Sequence, residues 1–99
     1  SDGSSTSGVD ATPPSASISN PVEGSKVNGN VSVTARATDN VGVTSMRLSI
    51  DGRVVATVKG ANLSYRWNAK NASVGKHTLT VEAFDAANNM GSRSVSVAR

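Results

Sequence analysis

Residues 31–51 read Val31-Ser-Val-Thr-Ala-Arg-Ala-Thr-Asp39-Asn40-Val-Gly-Val-Thr-Ser-Met46-Arg-Leu-Ser-Ile50-Asp51. Two alternating segments flank an Asp-Asn-Val-Gly turn. Val31, Val33, Ala35 and Ala37 share one face of the first segment, and Met46, Leu48 and Ile50 share one face of the second. Ser, Thr and Arg fill the positions between, as a half-buried antiparallel strand requires. The period of two extends outward in both directions, and no stretch of the sequence carries a helical period or an internal repeat.

Working towards the N-terminus, Asn30 to Thr38 forms the first of these strands. Before it, Ala16 to Ser19 reads as an edge strand, broken by Asn20-Pro21 and Glu23-Gly24 and resumed in a short piece around Lys26 and Val27. Pro13 and Pro14 stiffen the approach. Residues Ser1 to Ala11 are mainly Ser, Gly, Thr and Asp, too polar to offset the entropy of ordering, and are expected to form a flexible linker, with the folded domain spanning residues 12–99. Towards the C-terminus, Thr44 to Ile50 is followed by Asp51-Gly52, a two-residue hairpin signal, and by a strand over Arg53 to Lys59. Leu63, Tyr65 and Trp67 share a face of the next strand. Gly75 opens a strand whose Leu79, Val81 and Ala83 alternate with Thr78, Thr80, Glu82 and Phe84, and Gly91 opens a last one with Val95 and Val97 inward.

About seven short strands separated by turn signals predict an all-β fold, an immunoglobulin-like Greek-key β-sandwich of antiparallel strands. With 99 residues there is room for one core. Hydrophobic residues are 36% of the chain and aromatics 3%. The core is therefore expected to be small and aliphatic, with Trp67 as its central anchor, Tyr65 beside it and Phe84 a third candidate. Cysteine is absent, which excludes disulfides and thiolate metal sites but is compatible with either redox compartment. No apolar run reaches membrane-spanning length and no leader-like segment opens the sequence, so a soluble mature fragment or an excised module, monomeric and without membrane insertion, is expected. The formal charge is +3. The ten basic residues are spread one per strand or turn, without a cluster or interleaved aromatics, so nucleic-acid binding is not expected either.

From Asp10 to Val97 the chain carries the ordered set Asp-x-Thr-Pro-Pro, Asn-Pro-x-x-Gly, Ala-x-Asp-Asn-Val-Gly-Val, Ile-Asp-Gly, Tyr-x-Trp-Asn, Gly-x-His-Thr-Leu and Asp-Ala-Ala-Asn-Asn. In this it resembles the bacterial Ig-like domains. Where many relatives carry Ala-Gly-Asn this chain has Ala87-Asn88-Asn89, so a left-handed backbone position is expected to fall to Asn. The resemblance implies a non-catalytic accessory module of a secreted or cell-surface bacterial protein. It implies a catalytic domain in cis, first a subtilisin-like serine protease and second a polysaccharide hydrolase, with the module as spacer, stabiliser or contact to a polymeric protein or polysaccharide substrate. A repeat of an adhesin stalk and a dedicated carbohydrate-binding module are the competing classes.

Nothing in the residues themselves supports catalysis. His77 is the single imidazole, no Gly-x-Ser-x-Gly elbow is present, and a strand start beside a turn favours structural hydrogen bonding over a triad. Glu23, Asp51 and Glu82 fall in a turn, a hairpin and an outward strand position, with no paired-carboxylate pattern. Asp39, Asn40, Asp85, Asn88 and Asn89 lie on connections that emerge together in this topology, and their oxygens are of the kind that holds calcium. Two charges are few for a calcium cage, so turn capping is the preferred reading and no cofactor is expected. Phe84 has the parity opposite to Leu79, Val81 and Ala83. It is expected on the outer face of the sheet with Glu82, Arg47 and Val55, as a contact surface.

Overall fold

The period-two segments pair in two sheets. A computed structural model describes residues 13–39 and 42–99; the expected linker, the domain boundary at residue 12 and Asn40 lie outside the described residues. The strands are β1 (Ser15–Asn20), β2 (Asn30–Thr38), β3 (Val43–Ile50), β4 (Arg53–Lys59), β5 (Asn62–Asn68), β6 (Lys76–Asp85) and β7 (Met90–Ala98). All ladders are antiparallel. One sheet has the order β1-β2-β5 and the other β4-β3-β6-β7, an immunoglobulin-like sandwich of seven strands. The chain crosses between sheets after β2, β4 and β5, which gives the Greek-key connection.

Register follows from the inward rows. Val31, Val33 and Ala35 of β2 stand opposite Trp67, Tyr65 and Leu63 of β5. In the facing sheet Met46, Leu48 and Ile50 of β3 stand opposite Ala83, Val81 and Leu79 of β6. A slip of one residue would turn either row to solvent, so burial holds the pairing. The fully enclosed side chains are Met46, Leu48, Leu79, Val33, Val81 and Val97. The centre of the core is thus aliphatic, and the aromatic residues take other places. Trp67, 8% exposed, closes the end of the sandwich rather than its middle. Tyr65 is only partly buried, because β5 is an edge strand, and Phe84 is outside the core.

The first strand breaks where expected. After Pro21 the chain crosses from one sheet to the other: Lys26 makes a parallel bridge to Ala98, with Val27 N–H donating to the Ala98 carbonyl at 2.8 Å. Asp51 and Gly52 have φ of 53° and 83°, and the mirror-image turn they form matches the twist of the β3–β4 hairpin.

Two further expectations are corrected. The β3–β4 ladder shifts register between Leu48 and Ser49, pairing Ala56 with Leu48 and Val54 with Ser49, so Val55 is an extra residue in the bulge. The bulge turns Val55 against the core, away from the outer face where simple alternation places it. Gly91 lies inside β7, opposite Ala83, instead of opening the strand at a turn. Its reason is steric: a Cβ there would stand 1.8 Å from the carbonyl oxygen of the buried Pro14.

Gly91→Ala is expected to destabilise the domain by about 2 kcal/mol or more, because the obstacle is backbone and has to move. Urea denaturation of wild type and variant checks this; a difference below about 0.5 kcal/mol would mean that the β1 approach is not held against β7.

Candidate functional site

β6 presents His77, Leu79, Val81, Ala83 and Asp85 inward, a buried row that is apolar in the middle and polar at both ends. Each polar end is tied to a turn. At one end His77 Nδ1 lies 2.5 Å from Asp51 Oδ2, and Nε2 lies 2.7 Å from the Ser73 carbonyl oxygen. Asp51 Oδ1 accepts the Thr78 amide at 2.9 Å, and the imidazole meets the Trp67 ring edge to face at 5.7 Å. A neutral imidazole has one N–H, whereas both of these partners accept; the imidazolium alone satisfies the two contacts. The Ser73 carbonyl, then Asp51, raises the His77 pKa above its ordinary value, against burial and the charge of Arg99. The hydrogen bond from His77 holds the Asp51 carboxyl below its ordinary value, with burial opposing and the Thr78 amide assisting.

This cluster ties the β3–β4 hairpin to the β5–β6 connection and is structural in form. Both faces of its chemistry are occupied: the histidine has no free nitrogen to act as base, and its carbonyl partner belongs to Ser73's backbone, not to a hydroxyl. The sequence reading placed His77 at a strand start in a hydrogen-bonding role but took Asp51 only as a turn residue. The signal was the shared end of the sandwich, where the Asp-Gly hairpin and the start of β6 become neighbours.

At the other end Asp85, 2% exposed, organises the β6–β7 turn. Its Oδ1 accepts the amides of Ala87 and Asn89 at 2.9 and 2.8 Å, and Oδ2 accepts from the Asn89 side chain at 3.2 Å. Asn88 takes the left-handed position with φ of 66°, as its place in the Ala-Asn-Asn run suggests. Asp39 follows β2 in the chain. Among the described residues no three His, Cys, Asp or Glu side chains come together as a metal cluster.

On the outer face of the larger sheet, Arg47 and Glu82 are cross-strand partners. Arg47 Nε and Nη2 donate to Glu82 Oε1 at 2.8 and 2.5 Å, and the guanidinium stands 5.3 Å from the centre of the Phe84 ring. Met90, 46% exposed, is the β7 partner of Phe84. Phe84, Arg47 and Glu82 lie together on this face, whereas Val55 belongs to the core side and Met90 takes a place on the face that alternation did not assign.

The model of the bacterial Ig domain family matches residues 14–81. The chain belongs to that family. Among solved structures, this Ig domain is similar to the fibronectin(III)-like modules of Clostridium thermocellum CbhA, with 24% identity and a TM-score of 0.71 over 85% of this chain and 94% of that one. It is also similar to the endo-beta-1,4-mannanase from Thermotoga petrophila, with 13% identity and a TM-score of 0.71 over 90% of this chain; it spans 20% of the mannanase chain. Both likenesses are of fold. No curated protein matches the sequence. Among the described residues no helix is long and apolar enough to cross a membrane.

The linked ionisations set a pH window. Stability from His77 is present in full below its ordinary value of 6.5 and is lost as pH rises through the higher folded-state value. Stability from Asp51 is present above its ordinary value of 3.8 and is lost as pH falls through the lower folded-state value. The Ig domain is therefore expected to melt at a higher temperature near pH ~5.5 than near pH ~8.5. Asp51→Asn retains an acceptor for the Thr78 amide and is expected to cost about 1 kcal/mol at the lower pH, discounted because the Asp51 side chain is 47% exposed. An unchanged pH dependence in that variant would place its origin elsewhere.

Asp85→Ala leaves buried turn donors without acceptors and is expected to cost about 2–3 kcal/mol. Millimolar calcium is expected to leave the melting temperature unmoved, since the Asp85 oxygens already serve the turn. A rise in calcium that disappears in Asp85→Asn would identify a cation site.

Proposed function

We propose that this Ig domain is a non-catalytic accessory module of a secreted polysaccharide hydrolase, holding the catalytic part of the chain at a set distance from a polymeric substrate. The observation that carries this reading is the direction of the chain through the sandwich. Pro14 lies against Gly91 beside the β6–β7 turn, and Ser15 stands opposite Thr38. β7 then leaves at the opposite end, where Ala98 pairs with Lys76 and bridges Lys26. Its nine residues span about 30 Å, so modules joined in series add their length.

The buried polar groups support the same reading, because His77 and Asp85 hold turns instead of facing a cavity. The mannanase neighbour favours a polysaccharide hydrolase over the subtilisin-like protease that the sequence resemblance puts first. Serial geometry equally suits a repeat in an adhesin stalk; there, neighbouring copies of the same pattern would replace a catalytic domain.

The test is deletion of residues 13–99 from the full chain, with hydrolysis followed on soluble oligosaccharide and on insoluble polymer. Activity on the soluble substrate is expected to stay within about twofold while activity on the polymer falls about fivefold or more. Equal activity on both would overturn the reading, as would turnover by the isolated domain that survives repurification.

A further inference from the structure

β4 and β5 run side by side as edges of different sheets, and no ladder joins them. The opening between them is a groove of about 470 Å³ lined by Ile50, Asp51, Arg53, Val55, Tyr65 and Trp67. We propose that this groove binds one unit of a neutral hexopyranose chain, its apolar face against Tyr65 and Val55 and its hydroxyls at Arg53 and Asp51.

Each part of the lining has a counterpart in such a ligand. Tyr65 and Val55 are partly exposed and form apolar wall that packing within the domain leaves uncovered. A pyranose ring offers a C–H face to an aromatic surface and a rim of hydroxyls that both donate and accept. The Arg53 guanidinium makes no ion pair or hydrogen bond with another described residue, and neither does the Tyr65 hydroxyl; both can donate to sugar oxygens. Asp51 is 47% exposed, and each of its oxygens keeps a lone pair after meeting His77 and Thr78. One cation and one anion at the rim suit vicinal hydroxyls, and Asp51 opposes an acidic sugar.

The groove is formed before any ligand arrives. His77 fixes Asp51 and contacts Trp67, and the β4 bulge aims Val55 inward. Rigid walls reduce the ordering cost of binding. The other faces lack this combination. Arg47 is engaged by Glu82 on the outer face of the larger sheet, and the groove over Ser17, Ser19, Thr34 and Arg36 on the smaller one has no aromatic wall. The inference rests on the polysaccharide-hydrolase reading for the identity of the polymer, while the site stands on its own geometry.

The test is an amide and indole NMR titration of the 99-residue protein with mannohexaose and with cellohexaose. The expected result is shifts centred on the Trp67 indole, Tyr65, Val55 and Arg53, with a dissociation constant of about 1–10 mM for a single-unit site. Arg53→Ser, an exposed change that spares the core, and Tyr65→Phe are each expected to weaken binding about threefold or more. The proposal is overturned by no shifts at about 20 mM of either sugar, by shifts centred on Phe84 or Thr34, or by undiminished affinity in Arg53→Ser. Tighter binding of oligogalacturonate would overturn the neutral assignment. A silent titration beside an intact deletion effect on insoluble polymer would remove the groove site and leave the spacer reading in place.

Discussion

The buried row of β6 imposes the condition that the rest of the structure meets. A central strand covered on its inward side must pair every polar group it carries there, and β6 carries two. His77 is answered by the β3–β4 turn and the β5–β6 connection, Asp85 by the β6–β7 turn. Between them lie Leu79, Val81 and Ala83, each fully buried, against the equally buried Met46 and Leu48. The polar ends mark how long the apolar core is, and the turns at those ends have their geometry prescribed by the groups they satisfy.

The open edges of the sandwich are managed by different means. Along β7, the first strand crosses sheets so that the Lys26 segment pairs beside Ala98 while Pro14 presses on Gly91. Between these contacts Arg93, the partner of Val81 in the ladder, has the inward parity but is exposed. A charge at such a place discourages another strand from adding to the edge. Along β4 and β5 the edges stay apart, and the bulge at Val55 supplies apolar wall without closing the sheet.

These features place the functional possibilities on the surface and at the ends, not in the interior. His77, Asp51 and Asp85 of the described network are all engaged in holding turns. Rigidity and entry and exit at opposite ends are what a spacer needs. The groove proposed for a polymer unit has its walls fixed by the same network.

The strands and their inward residues were legible in the sequence because alternation is a local property: Val31 to Ala37 and Met46 to Ile50 state their faces without reference to any partner. The Asp-Gly hairpin and the break at Asn20-Pro21 were legible for the same reason, each being a preference of a few adjacent residues, while the left-handed Asn88 was legible through the family resemblance. Only the tertiary structure decided that Trp67 closes an end while aliphatic residues fill the centre, since depth depends on which strands become edges. It also decided the inward turn of Val55, the obligation of Gly91 to Pro14, and the meeting of Asp51 with His77. Those depend on register and on contacts between segments far apart in the chain, and alternation carries no information about either.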